Sequence, residues 1–195
     1  MAHKHSLALA FLISFLASST TFALDYFAGL SFSVSRGTSA VPSQPEIPQV
    51  NLYGAGINFG IRSFNFLLLG VRGSYSQIDQ ISDPTFATGN RRGTRLMPVA
   101  PLIGFRLSSV RMLTEYQFMG DYALANTDFL SRDITYKKPL GYAFEILYDL
   151  SPRMAVGLRY ENVDFYQEQV GSSTPVDLPD KLSLKSYGVA FDVHF

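Results

Sequence analysis

The sequence predicts an all-β chain, an eight-stranded antiparallel up-and-down transmembrane β-barrel that follows a cleaved signal peptide. Three observations carry this prediction. The chain opens on a charged, then apolar, then small-residue segment too short to cross a membrane as a helix. Eight later segments alternate apolar residues with small or polar ones, and the connections between them alternate long and short. A length of 195 residues fits one domain.

In the opening segment Lys4 precedes the apolar run Ser6 to Ala17, and Thr21-Phe22-Ala23 offers a small-residue cleavage site before Leu24. The run is well short of the roughly 20 residues a spanning helix needs. We therefore assign residues 1–23 to the signal peptide and 24–195 to the barrel. Of 16 basic residues Lys4 is lost with the peptide, so the mature chain is close to neutral against 16 acidic ones, and no nucleic-acid partner is expected. The chain has no cysteine, which suits export without a disulfide framework.

The strands follow in order. The first sets Tyr26, Ala28, Leu30, Phe32 and Val34 against Phe27, Gly29 and serines. The second sets Tyr53, Ala55, Ile57, Phe59 and Ile61 against Gly54, Gly56, Asn58 and Gly60. The third sets Leu67, Leu69, Val71 and Tyr75 against Leu68, Gly70, Arg72 and Ser74. The fourth, Met97 to Leu107, contains Pro98 and Pro101, which remove ladder donors and predict a bulge. The fifth sets Met112, Thr114, Tyr116, Phe118, Tyr122 and Leu124 against Arg111, Leu113, Glu115 and Gln117. The sixth alternates from Leu140 to Tyr148, the seventh from Met154 to Tyr160, and the eighth from Tyr187 to Phe195. Period-two alternation of this kind is the signature of a strand with one apolar face.

The long connections are Gly37 to Pro48, Ile78 to Gly93, Ala125 to Asp133 and Gln167 to Asp180, and the short ones centre on residues 63–65, 108–109 and 151–152. A barrel with both termini in the periplasm predicts that order of external loops and periplasmic turns. Small residues on the polar face suit a narrow lumen, so the apolar face is assigned to lipid. On that face Tyr53, Tyr75, Tyr122, Tyr142, Tyr160 and Tyr187 fall toward the loops, and Tyr26, Phe105, Tyr148 and Phe195 toward the turns, forming two aromatic belts.

The last strand carries Tyr187, Val189, Phe191, Val193 and a terminal Phe195, and resembles the C-terminal signal that the barrel assembly machinery recognises. With the signal peptide and strand count, the mature chain is similar to small eight-stranded outer-membrane proteins of the OmpA, OmpX and opacity-protein type, barrel only. That resemblance implies bacterial outer-membrane localisation, a monomer, and contact with membrane lipid, lipopolysaccharide, periplasmic chaperones and the assembly machinery.

Three function classes follow: a structural or surface-interaction barrel acting through four extracellular loops, a narrow gated pore, and a lipid-modifying enzyme. The enzyme is disfavoured, because His194 is the mature chain's one histidine and sits at the turn end beside Asp192, away from any loop-end nucleophile. Neither a metal-loop spacing among the aspartates nor a dinucleotide fingerprint among Gly54, Gly56 and Gly60 is present, so no cofactor is expected. Arg72, Glu115, Glu145, Arg159 and Glu161 share the inward face at mid-barrel height. Charges in so narrow a space must pair across the lumen, as a plug or as a gate. Arg91, Arg92, Arg95, Lys137 and Lys138, with Lys181 and Lys185, fall near the loops, where cations suit lipopolysaccharide phosphates.

Overall fold

The computed structural model describes residues 25–40, 47–63, 66–80, 91–125 and 133–195. The signal-peptide assignment lies outside these residues, as do the middles of the first three loop-end connections. Among the described residues nine strands form: β1 Asp25–Ala40, β2 Ile47–Ser63, β3 Leu67–Gln80, β4 Arg91–Leu107, β5 Val110–Gln117, β6 Asp121–Leu124, β7 Ile134–Ser151, β8 Met154–Val170 and β9 Val176–His194. β5 and β6 occupy one position in the wall, each pairing with both β4 and β7. Every neighbour is antiparallel, and β9 closes on β1 through Phe32↔Phe191 and its flanking pairs. The result is a closed eight-position barrel, which leaves no sheet edge in lipid.

Alternation turns the large apolar residues outward. Tyr26, Phe32, Ile57, Phe59, Leu158, Tyr187 and Phe195 are exposed, whereas Ser31, Ser35, Asn58, Arg72, Glu115 and Glu145 are buried inside. On β9 the outward belt runs from Tyr187 to Phe195, about 27 Å of strand at roughly 3.4 Å per residue. Tilted as barrel strands are, that gives a band of roughly 20 Å, suited to a thin outer membrane. So large an apolar outer face is stable only against hydrocarbon.

The strands reach further than the sequence predicts. β4 begins at Arg91 rather than Met97, β7 at Ile134 rather than Leu140, and β8 and β9 run to Val170 and from Val176, so most of the Gln167 to Asp180 connection is a hairpin. The cause is a second core. Val50, Leu52, Ile78, Met97, Tyr122, Leu124, Tyr136, Val163, Phe165, Leu182 and Leu184 all point inward at the loop end and bury one another. The residues between them point out and are polar or small: Arg36, Gln77, Arg92, Thr94, Asp121 and Lys185. Polarity therefore inverts along the barrel. Within the belt apolar side chains face out; beyond it they face in, as in a water-soluble barrel. The inward face, expected to be mostly small residues with scattered charges, has that character only in its middle.

Two local irregularities set this register. Opposite Gly73, β4 places both Pro98 and Val99, the bulge that the prolines predict, and the pairing shifts between Arg72 and Ser74. Between β5 and β6 the ladder breaks at residues 118–120, where Gly120 takes φ +141°. A Cβ there would meet the Leu96 carbonyl oxygen at 2.2 Å. That break slips the alternation by one, so Tyr122 and Leu124 turn inward. Tyr122 is thus a correction to the loop-end belt, and exposed Tyr116 belongs with Tyr53, Tyr75, Tyr142, Tyr160 and Tyr187. Tyr26, Phe105, Tyr148 and Phe195 are exposed at the turn end.

Candidate functional site

The lumen is filled in layers. At its turn end Phe27, Leu68, Leu102, Leu113, Leu147, Ala155 and Ala190 pack together. The Phe27 ring lies over Gly60 and Gly70, which pair across β2 and β3. Above the other end lies the inverted core already described. Between the two apolar layers sits a band of ions.

That band is built on two unlike walls. β1, β2 and β3 supply small groups in cross-strand register, Ser31↔Gly56↔Ser74 and Ser33↔Gly54↔Ser76. Arg72 of β3 and the strands from β4 to β8 supply long charged side chains, which extend into the room left by the serines and glycines. Arg72 donates from Nη1 to Glu145 Oε1 at 2.6 Å, from Nη2 to Glu145 Oε2 at 2.9 Å, and from Nε to Asn58 Oδ1 at 2.5 Å. Its Nη1 also reaches Glu115 Oε2 at 3.2 Å. Arg159 donates to Glu115 Oε2 at 3.1 Å, to Glu161 Oε2 at 2.8 Å and to Glu145. Gln117 donates to the second Glu115 oxygen at 2.9 Å. All five residues that the sequence assigns to the lumen therefore meet in one network.

A sixth member is Arg95, whose guanidinium pairs with both Glu161 oxygens, one of them at 3.1 Å from Nη2. Its side chain is 4 % exposed, so Arg95 is a lumen residue and not a loop cation; its assignment to a lipopolysaccharide surface is corrected. The reason is the early start of β4, which carries the alternation back through Arg95 and Gly93. Charge balance held the signal: two arginines against three glutamates leave one carboxylate short of a cation, and Arg95 supplies it. Asn58 and Gln117, also members, were not singled out because an amide on a strand has no distinguishing pattern.

Beneath the band, Arg111 Nε donates to Asp149 Oδ1 at 2.7 Å and Arg106 Nη2 lies 2.8 Å from Asp149 Oδ2. His194 Nε2 is in contact with the Arg111 guanidinium. Asp192, fully buried, stands 3.9 Å from His194 and 4.0 Å from Arg72, beyond hydrogen-bond distance of either. His194 and Asp192 are therefore not hydrogen-bonded to each other.

Space for passage is small. Beside the network, the hollow bordered by Ser31, Gly54, Arg72, Ser74, Arg95 and Arg159 holds about 20 Å³, room for roughly one water. Removing a partner from such a band strands a charge where it cannot be hydrated, so the arrangement is locked by mutual neutralisation.

The remaining basic residues lie outside. Arg92 is 81 % exposed in its side chain and 3.6 Å from Asp79, Lys138 lies 4.0 Å from Asp177, and Arg91 and Lys137 are half-buried. Lys181 donates to Asp164 Oδ2 at 2.6 Å, a bond that raises its ammonium above the ordinary lysine value. Tyr187, Val189 and Phe195 are exposed on the outer face, with Phe191 and Val193 half-buried beside them. Among the described residues no group of three or more His, Cys, Asp or Glu side chains is arranged to hold a metal ion.

No protein-family model matches the chain, and no curated protein matches it. Solved structures do. Neisserial surface protein A is similar over 89 % of this chain and 99 % of its own, with a TM-score of 0.56 and 10 % identity. Ail, the attachment invasion locus protein of Yersinia pestis, is similar over 88 % of this chain and 99 % of its own, with a TM-score of 0.54 and 13 % identity. Ail bound to the heparin analogue sucrose octasulfate gives a TM-score of 0.52. Identities this low speak to fold alone. The fold is that of the small eight-stranded outer-membrane barrels, and the apolar outer belt is of the kind that suits a bilayer.

Proposed function

We propose that this protein is a non-enzymatic barrel with a sealed lumen, which works as a rigid membrane scaffold presenting its loop-end surface to the exterior. The observation that carries the reading is the band of six buried, mutually neutralised ions held between two apolar layers. A conducting path would have to part these ion pairs and open the apolar layers on either side, leaving charges unpaired in a space with little water, at a cost of several kcal/mol. In this reading both termini lie in the periplasm, and the four loop-end connections, extended by the strands beyond the belt, are the contact surface for a ligand outside the cell. The attachment role carried in the name of the Yersinia pestis barrel is of that kind.

The terminal strand, with Tyr187, Val189, Phe191, Val193 and Phe195, serves in the same reading as the segment that the assembly machinery takes from periplasmic chaperones. A closed ring with no free edge among the described residues supports a monomer. Single-channel recording of the purified barrel in planar bilayers tests the sealed lumen. No steady openings are expected; steady openings abolished or altered by Glu115→Gln would replace this reading with the gated pore.

A further inference from the structure

One face of the outer wall is cut away. Across β9, β1, β2, β3 and β4 a single outward row reads Phe191, Phe32, Ala55, Tyr75, Leu96. In the row beneath, Leu30 and Ile57 lead to Gly73. Ala55 and Gly73 are short where their neighbours are large, and the wall there is grooved on both sides of Tyr75, with volumes of about 420 and 380 Å³. Pro98, from the Pro98–Val99 bulge, borders the second groove, and its carbonyl oxygen lies 2.9 Å from where a Cβ on Gly73 would stand.

The row above changes character. From β3 through β4 and β6 to β7 it reads Gln77, Thr94, Ala123, Thr135. These form the floor of a third hollow of about 400 Å³, with Arg92 on its upper side and Tyr75 on its lower. Tyr75 lines all three hollows, so apolar grooves in the belt lead past one aromatic ring into a polar cup at the height where lipid headgroups begin.

We propose that this face holds one glycolipid of the loop-end leaflet, with an acyl chain in the groove at Ala55 and Gly73 and its saccharide head in the cup at Arg92. The groove faces hydrocarbon, so its occupant is a lipid chain. The cup selects the head: the Gln77 amide, the Thr94 and Thr135 hydroxyls, the Asp133 carboxylate and the Arg92 guanidinium, itself 3.6 Å from Asp79, offer donors and acceptors together. That mixture suits sugar hydroxyls better than a bare phosphate, which the Asp79 carboxylate beside Arg92 would oppose. The proposal rests on the loop end facing the exterior leaflet.

The test is native mass spectrometry of the whole detergent-solubilised barrel incubated with dephosphorylated lipid A, an acylated glucosamine disaccharide, or with phosphatidylglycerol. One lipid A per barrel is expected to be retained in preference to phosphatidylglycerol. Ala55→Phe, which fills the groove, and Thr94→Glu, which spoils the cup, are each expected to weaken retention by about tenfold or more, while Ala28→Phe near the turn end leaves it unchanged. Equal retention of both lipids, or lipid A retention indifferent to both substitutions, overturns the proposal. Folding of each variant is checked by its gel shift on boiling. Channel openings would defeat the sealed-lumen reading without touching this result, and loss of lipid preference would leave that reading intact.

Discussion

Arg72 on β3 reaches across the lumen to Glu145 on β7 and engages both carboxylate oxygens, at 2.6 and 2.9 Å. The two residues are 73 positions apart in sequence, and the two wall positions between their strands, β4 and the position shared by β5 and β6, hold them across the lumen from one another. A bidentate pair of this kind, sealed from water, costs little to keep and much to halve.

Glu145→Gln is expected to destabilise the barrel by about 3–5 kcal/mol, because Arg72 and Arg159 both lose their shared counter-ion in a space that water cannot enter. The double replacement Arg72→Met with Glu145→Leu removes one charge of each sign, and is expected to cost less than the single change. Urea unfolding of the barrel in lipid vesicles measures both. A double variant worse than Glu145→Gln by the sum of its parts would show that the pair is not coupled.

Arg92 and Arg95 differ by three positions and by environment, one in water and one in the lumen. The chain has no native cysteine, so Arg92→Cys and Arg95→Cys each introduce a single thiol. A membrane-impermeant maleimide added to the folded, detergent-solubilised protein is expected to label the first rapidly and the second only after unfolding. Equal labelling would put Arg95 back among the loop cations.

Phe165 and Phe144 separate the two kinds of apolar face. Phe165 is fully buried in the loop-end core, whereas Phe144 is 37 % exposed on the outer belt. Phe165→Ala is expected to cost about 3–5 kcal/mol, transfer plus cavity. Phe144→Ala opens no cavity, since lipid fills the space, and is expected to cost less. Urea titrations of both variants in vesicles compare them, and a costlier Phe144→Ala would contradict a loop-end core independent of the bilayer.

Gly60 leaves no room for a side chain. A Cβ there would stand 2.3 Å from the Leu69 carbonyl oxygen and 2.7 Å from the Phe27 ring. Gly60→Ala is expected to destabilise by roughly 1–3 kcal/mol. Adding Phe27→Ala is not expected to restore stability, because the nearer obstacle is backbone. Recovery of the wild-type urea midpoint in the double variant would locate the crowding in the ring instead.

The outer belt was legible because lipid imposes a rule that each strand obeys by itself. Tyr187, Val189 and Phe191 alternate whether or not their neighbours are known, and hydrocarbon on one side with a narrow lumen on the other leaves one assignment of faces. The five lumen charges were legible for the same reason: on an inward face at mid-height, the arginines and glutamates have only one another to neutralise them.

Tyr122, Arg95 and the loop-end core were decided elsewhere. Whether Tyr122 points in or out depends on one residue of slip at Gly120, which strand periodicity cannot register because the segment alternates on either side of the break. Arg95 enters the lumen only because β4 keeps its pairing with β3 back to Gln80↔Arg91. That pairing persists because Ile78, Leu124 and Phe165, from three different strands, meet inside the tube. What the chain determined alone was the response of each strand to its surroundings. How far the strands rise beyond the belt, and where polarity turns inside out, depended on contacts between strands distant in sequence, for the apolar residues involved gain nothing until the closed wall brings them together.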